Sequence, residues 1–395
     1  MTLTVIGLDG GPLPPGAGDA LAGAEIVIGA RRHLEVAPVP AAAKRVELGP
    51  VEPALDALDG RPAVLLASGD PGFFGIVRLL RERGHEPVVL PARSSVQLLF
   101  ARLGRPWDGV AVVSAHGRAL TPAVNVCRAR AATAVLTAPG AGPAELGAAL
   151  DGWPRTLVVA EDLGGTRERI TTLPATDAAT RTWDPLTVVL CLRDTTALPN
   201  RGWYAGGEPT PPPDGWALPE DAFDHRAGMV TKSEVRAVVL ARLAPRPGCL
   251  VWDVGAGSGS VAVECARLGA AALAVERRGD DAARVVANAA AHGVEVRVVP
   301  GEAPGVLAGL PRPDAVFVGG GGPEVVTAAA AAGPERIVIA LAALDRIAPT
   351  RDALHAGGYA VEGVQLAASR LAALPDGAVR LAATNPITIL WGLRR

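Results

Sequence analysis

Two glycine-rich loops, each at the end of an apolar run, dictate the kind of fold this chain can adopt. The first is Ser68-Gly69-Asp70-Pro71-Gly72-Phe73-Phe74-Gly75, behind Ala63–Ala67. The second is Asp253-Val254-Gly255-Ala256-Gly257-Ser258-Gly259-Ser260, closing Cys249–Val254. A buried strand that breaks into glycine lets the backbone come up against a ligand, because no side chain stands in the way. Two such loops far apart in sequence imply two ligand sites on two α/β domains.

At 395 residues the chain has room for two or three domains. With 49% hydrophobic and 20% charged residues, each half can bury a full core. The formal net charge of −2 gives no support to a nucleic-acid or membrane-surface protein. Cys127, Cys191, Cys249 and Cys265 form no C-x-x-C pair and read as reduced thiols. The histidines are scattered without ligand spacing, so no metal site is expected. The amino terminus has no basic region ahead of its first strand-like run, and no apolar stretch nears the roughly 20 residues that span a bilayer. The expectation is a cytoplasmic protein with neither a membrane nor a nucleic acid as partner.

Through the first half, β-branched runs alternate with Ala/Leu/Arg-rich segments. Strands are expected at Leu3–Ile6, Glu25–Ile28, Ala63–Ala67, Pro87–Leu90, Val110–Val113, Ala134–Thr137, Thr156–Ala160 and Leu186–Leu192. Helices such as Gly75–Arg83 and Ser95–Leu103 fall between them. From Ala197 to Glu220, prolines and glycines crowd together, Pro211-Pro212-Pro213 among them, which marks a linker. The alternation then restarts. Lys232–Leu243 carries a helical stripe of Val235, Val238, Val239 and Leu243. Strands follow at Cys249–Val254, Ala272–Val275, Val294–Val299, Ala315–Val318 and Arg336–Ala340, and Val379–Ala383 with Ile387–Leu393 reads as a terminal hairpin. The expected domains are 1–196 and 221–395, joined by 197–220.

In the second loop, a tight glycine turn leads into a helix whose first N–H groups are free for a ligand. A dinucleotide fingerprint, G-x-G-x-x-G/A, is the competing reading, but Ser260 fills its last place. Asp253 would repel a pyrophosphate and suits a cationic or amine-bearing ligand. Glu276, at the end of the next strand, can take both hydroxyls of a ribose. The set resembles the S-adenosylmethionine-dependent methyltransferases of the seven-stranded Rossmann-like class. The resemblance implies that Gly255, Ala256, Gly257, Ser258 and Gly259 back the amino-acid part of S-adenosyl-L-methionine while Glu276 holds its ribose. Thr231, Asp253 and Ala303 complete that implied cofactor site.

The first loop is followed by Arg93-Ser94-Ser95, by Ser114-Ala115-His116-Gly117-Arg118 and by Glu161-Asp162-Leu163-Gly164-Gly165. This ordered series resembles the tetrapyrrole (corrin and porphyrin) methylases, a two-lobed fold unrelated to the first. Gly29-Ala30-Arg31-Arg32-His33-Leu34 is especially like the cobalamin-pathway branch of that family. The resemblance implies a cofactor held mostly by main-chain groups between the lobes, with Asp70, Phe73, Ser94 and Ser95 at the site. One departure is Gly7-Leu8-Asp9-Gly10-Gly11, where the family usually has Gly-x-Gly-Pro-Gly.

Downstream, the stretch from Asp221 through Gly228, Thr231 and Lys232 to Arg236 looks like the amino-terminal arm of the decarboxylating precorrin C15-methyltransferases. Together the halves resemble bifunctional precorrin methyltransferases of cobalamin (vitamin B12) biosynthesis. That implies a two-lobed methylase domain acting on C5 of precorrin-6B. It also implies a seven-stranded Rossmann-like domain that methylates C15 and removes the ring-C acetate carboxyl, to give precorrin-8X. One S-adenosylmethionine site per domain, no metal and a homo-oligomer go with it.

Methyl transfer from a sulfonium needs an electron-rich carbon in line, not a protein nucleophile. The protein has to supply cations for the acetate and propionate arms. The candidates are Arg226, Lys232 and Arg236 in the second domain, and Arg31, His116 and Arg118 in the first. A second departure is Ile339-Ala340-Leu341-Ala342-Ala343-Leu344-Asp345, where the decarboxylating family tends to carry a polar, Asn-containing stretch. A substrate carboxylate would then be met elsewhere. Two other readings stay open: a methyltransferase acting on a different substrate, and a cofactor-binding scaffold with one inactive loop.

Overall fold

The computed structural model describes residues 2–49, 51–56, 58, 60–197, 205–206, 214–226 and 228–395. Most of the expected linker, 198–204 and 207–213, lies outside the described residues. The chain divides into two compact units. One is Met1–Arg118, Ala134–Ala148 and Arg155–Arg201; the other is Ala119–Thr133, Ala149–Pro154 and Gly202–Arg395.

The first unit contains two five-stranded sheets. One is built from β1 (Leu3–Leu8), β2 (Ile26–Gly29), β3 (Lys44–Glu47), β4 (Ala63–Ser68) and β5 (Val88–Leu90), in the order β3-β2-β4-β1-β5, with every pair parallel. The other uses β6 (Ala111–Ser114), β7 (Ala132–Leu136), β8 (Thr156–Glu161), β9 (Arg169–Pro174) and β10 (Thr187–Leu192), in the order β6-β7-β10-β8-β9. In it, β8 runs antiparallel to both β9 and β10. Loops of the two sheets come into backbone contact within this unit. A Cβ added at Gly10 would lie 2.0 Å from the Gly164 carbonyl oxygen, and one added at Gly164 would lie 2.1 Å from that of Asp9. Any side chain at either position would push the loops apart.

The second unit holds β11 (Leu250–Val254), β12 (Ala271–Glu276), β13 (Val296–Pro300), β14 (Ala315–Val318), β15 (Arg336–Leu341), β16 (Tyr359–Leu366), β17 (Ser369–Ala373), β18 (Val379–Ala383) and β19 (Ile387–Arg394). Seven of these form one sheet in the order β13-β12-β11-β14-β15-β19-β16, parallel except for β19, which runs against both neighbours. The expected terminal hairpin is corrected here. β18 pairs with β17 in a separate two-stranded ribbon, and the sheet partner of β19 beyond β15 is β16. Pro386 follows Asn385 directly between β18 and β19. The chain there passes from the ribbon back into the sheet instead of folding β18 onto β19.

Alternation fixes which way each central strand faces. Leu250, Trp252 and Val254 of β11 enter one apolar cluster with Ile337 and Ile339, while Val251 enters another with Val239 and Leu243. β4 behaves alike: Val64 and Leu66 face one core, Ala63 and Leu65 the other. Strands buried on both faces read as unbroken apolar runs. All four cysteines are buried.

Arg236 holds the amino-terminal arm of the second unit in place. Arg236 and Glu264 are both fully buried, with Arg236 Nε donating to Glu264 Oε1 at 2.9 Å. The Arg236 guanidinium also donates to the Thr231 and Leu218 carbonyls and stacks 4.7 Å from the Phe223 ring centre. Glu264 in turn accepts from the Ala217 and Leu218 N–H groups, at 2.8 and 2.7 Å. Arg236 was expected to meet a substrate carboxylate; its donors are taken up inside the domain instead. Replacing Glu264 by Ala leaves that guanidinium buried without its counter-charge, which should destabilise the unit by about 3–5 kcal/mol. A lower urea midpoint, read by amide exchange in Leu250–Val254, would show it.

Candidate active site

At the carboxyl end of β11 the chain makes three left-handed turns in five residues, with φ of 75° at Gly255, 55° at Gly257 and 74° at Gly259. Gly259 is the N-cap of helix Ser260–Arg267, and a Cβ there would meet Val285 at 2.7 Å. The Gly255 and Ala256 N–H groups donate to the Val275 carbonyl at 2.9 and 3.1 Å, which ties the loop to β12. Gly257 N donates to Glu276 Oε2 at 2.8 Å, and Arg278 N donates to Oε1 at 2.9 Å. Both oxygens of this nearly buried carboxylate are held in place and retain lone pairs for two hydroxyl donors.

Asp253 lies beneath the loop at 1% exposure, its Oδ2 accepting from Ala262 N at 3.0 Å. Its Oδ1 is buried with no partner among the described residues. Burial pushes the carboxyl up to about 7; the Ala262 N–H opposes this and the Glu276 charge adds to it. Asp253 supports the loop from behind and is not among the residues that line the cavity. A left-handed glycine loop held by a fixed acid with free lone pairs fits a ligand carrying a diol.

In front of the loop is a cavity of about 910 Å³ within the second unit. Gly255, Ala256, Gly257 and Ser258 form one wall. Thr231 and Lys232 contribute from the arm, where Lys232 is the N-cap of helix Ser233–Leu243. Ile339, Leu341 and Ala343 line it with apolar groups, as their sequence requires. The polar groups on that side come from Arg346, Thr350, Thr384 and Asn385, which sequence reasoning missed. A lone arginine after an apolar run and an Asn-Pro step carry no motif that would have singled them out. Arg346 Nη1 donates to the Gly321 carbonyl at 2.8 Å. Arg226 pairs loosely with Asp281 at 3.8 Å, and Ala303 packs against the core instead of lining the cavity.

The first loop is ordered by its own side chains. Gly69 has φ 62°, and a Cβ there would lie 3.2 Å from the Arg93 carbonyl oxygen and from Ser94 Cα. Asp70 Oδ1 accepts from Gly72 N at 2.8 Å, closing an Asx turn. Ser94 Oγ accepts from Gln97 N at 3.2 Å and Gln97 Oε1 accepts from Ser94 N at 2.8 Å, a capping box for helix Ser95–Leu103. The Ser94 hydroxyl is thereby engaged in starting the helix. Phe73 meets Phe74 edge-on with ring centres 4.9 Å apart, and Arg118 lies 5.7 Å from the Phe74 ring centre. Arg118 also donates to Ser114 Oγ at 3.1 Å, and His116 Nδ1 donates to the Thr137 carbonyl at 3.2 Å. Phe73, Phe74 and Arg118 are thus brought together. Arg31 is exposed and paired with Glu35 on its own helix at 3.0 Å.

Residues 6–179 match the family described as Tetrapyrrole (Corrin/Porphyrin) Methylases, and residues 221–383 match the Precorrin methyltransferase domain. The chain is 40% identical over 338 residues to a precorrin-6Y C(5,15)-methyltransferase (decarboxylating) of Sinorhizobium sp, covering 82% of this chain and 79% of that one. The chain belongs to the precorrin-6Y C(5,15)-methyltransferase family. Shorter relatives of the family match less than half of it. A probable cobalt-precorrin-6B C(15)-methyltransferase (decarboxylating) of Pyrobaculum calidifontis is 37% identical, covering 39% of this chain and 84% of its own. A cobalt-precorrin-7 C(5)-methyltransferase of Salmonella typhimurium is 31% identical, covering 44% and 90%. Methyltransferases of this family use S-adenosylmethionine as methyl donor. Among the described residues there is no group of three or more His, Cys, Asp or Glu able to hold a metal ion, and no helix long and apolar enough to cross a membrane.

The raised carboxyl of Asp253 has a consequence for stability. Between its ordinary value of 3.8 and about 7, the folded state holds a proton that the unfolded state has released. Asp253 therefore opposes folding increasingly as pH rises through that window. Asp253→Asn, which keeps the acceptor for Ala262 N, should gain stability relative to the parent by up to roughly 4 kcal/mol between pH 4 and 7.5. Parallel urea titrations at those two pH values measure it, and a gap independent of pH would contradict the assignment.

Proposed function

We propose that this enzyme methylates C5 and C15 of precorrin-6B and decarboxylates its ring-C acetate, forming precorrin-8X in cobalamin biosynthesis. The observation that carries this reading is the succession, in one chain, of two stretches matching two different methylase families, within an overall match to a relative named for both positions. The division of labour follows the order of the chain: C5 methylation in residues 1–196, C15 methylation and decarboxylation in residues 221–395, with 197–220 connecting them. Each half holds its own S-adenosylmethionine, and the chain works as a homo-oligomer.

In the second half, Gly255, Ala256, Gly257 and Ser258 hold the amino-acid end of the methyl donor and Glu276 takes its ribose hydroxyls. The bound donor supplies a methyl group on a sulfonium, open to displacement by carbon. The chain's own work is placement. Lys232 and Arg346, on the cavity wall with Asn385, meet carboxylate arms of the macrocycle. The apolar stretch Ile339–Ala343 faces its flat ring and keeps water from the reacting carbon. Loss of CO2 leaves an electron pair that the conjugated ring takes up, and the side-chain carbon then takes one proton from solvent to become a methyl group. In the first half, Asp70, Phe73, Ser94 and Ser95 shape the donor site, chiefly through their main chain, with Arg118 beside it.

Incubation of the full chain with precorrin-6B and isotopically labelled S-adenosylmethionine should add two methyl groups and release one CO2, read by mass spectrometry. One methyl without CO2 would mean an inactive second half, and no methyl at all would favour the scaffold reading. Gly257→Leu separates the two sites. Its Cβ would enter open space in front of the loop, so the added side chain occupies the donor site, and φ of 55° is unfavourable for it as well. C15 methylation and CO2 release should fall by at least 100-fold while C5 methylation persists.

A further inference from the structure

Ser68 is the last residue of β4, at the carboxyl edge of a wholly parallel sheet in which β4 is the middle strand. Ligands of parallel α/β sheets bind at that edge. Its hydroxyl is exposed, and two side chains of the helix Arg31–Val36 converge on it. Arg32 Nη2 donates to Ser68 Oγ at 2.8 Å, and His33 Nε2 lies 3.2 Å from the same atom. His33 itself is buried at 8% exposure. His33 Nδ1 is buried with no hydrogen-bond partner among the described residues. In the tautomer with the ring proton on Nδ1, Nε2 accepts from the Ser68 hydroxyl. Burial, with the Arg32 charge acting in the same sense, pushes the imidazole down to about 4, so it is neutral near pH 7 and accepts a proton only from a strongly acidic donor, such as a ring carbon carrying both hydrogen and methyl. The Asp162 charge acts on Arg32 in turn.

This is the geometry of an activated hydroxyl: a base within hydrogen-bond reach and a cation on the oxygen. Ser68 opens the loop, continuing through Gly69 and Asp70, that is assigned above to the methyl donor. We propose that Ser68 and His33 form a proton-accepting pair that takes up the proton released by the substrate carbon on methylation, with Arg32 as positioning residue. The proposal rests on the reading that this half methylates C5. A bridging ring carbon bears one hydrogen. As its electron pair forms the new C–C bond, the C–S bond of the sulfonium breaks and the carbon briefly carries both hydrogen and methyl. Its C–H pair then returns to the conjugated ring as the proton passes to Ser68 Oγ, while the Ser68 hydroxyl proton passes to His33 Nε2. The resulting imidazolium releases that proton to solvent.

Ser68→Ala removes only an exposed hydroxyl, so the fold should persist, as an unchanged thermal transition would show. In single turnovers of the full chain with precorrin-6B, its C5 methylation should slow by about 100-fold or more. C15 methylation and CO2 release should be unchanged, and the solvent isotope effect on the C5 step should be lost. His33→Gln should match Ser68→Ala on the C5 step. A second readout needs no substrate: a fluorophosphonate should label Ser68 in the parent, at least 10-fold faster than in His33→Gln. C5 methylation within twofold of the parent in Ser68→Ala, or no labelling of Ser68, would overturn the pair. If the parent adds no methyl to precorrin-6B, the functional reading fails instead, and labelling still decides whether Ser68 is activated.

Discussion

Parallel strands joined by crossovers all end on the same edge of their sheet, and both candidate sites depend on that constraint. β1, β2 and β4 in the first unit, and β11, β12 and β14 in the second, deliver their carboxyl ends together. Several of the assigned residues follow within a few positions: Asp9 after β1, Ser68 at the end of β4, Gly255 after β11, Glu276 at the end of β12 and Gly319 after β14. Such an edge gathers residues that are remote in sequence, at the entropic cost of closing the loops between them.

The second constraint is steric and local. Left-handed backbone at Gly255, Gly257 and Gly259 turns the chain from strand to helix within one short loop, and the N–H of Gly257 is captured by Glu276 on the adjacent strand. The acid that would grip a ribose therefore also shapes the loop that would back the rest of the ligand. Asp253 is the opposite case. Its burial without a partner for Oδ1 is a local instability accepted at the place where a ligand would bind.

The buried centre of each sheet was legible because β1, β4, β11 and β12 are largely apolar on both faces and run into glycine or acid at or just past their ends. The edges were not. β3 (Lys-Arg-Val-Glu) has one apolar residue, β9 alternates weakly, and β16 is mostly exposed, so their pairing depends on neighbours the sequence does not announce. Charge was the least legible property. Arg236, Arg226 and Arg31 look alike as letters, yet one is sealed against Glu264, one reaches loosely to Asp281 and one stays in solvent. Arg346 and Asn385 reach the cavity, and His33 reaches Ser68, through folding alone; no spacing marks them.

Arg370, on the ribbon strand β17, makes two bonds to Glu220, at 2.6 and 2.8 Å, and two to Glu234, of 2.8 and 2.5 Å. Its hydrogen bonds to Glu220 hold that carboxyl down to about 2. Glu220 precedes the seven-stranded sheet in sequence and Arg370 follows six of its seven strands, so this clasp joins the two ends of the domain around the sheet. The cavity takes wall residues from both ends, Met229–Lys232 from the first and Ala383–Asn385 from the last. The working domain is therefore larger than its sheet: a fragment trimmed to β11–β16 would keep the glycine loop but lose the part of the vessel that measures the substrate.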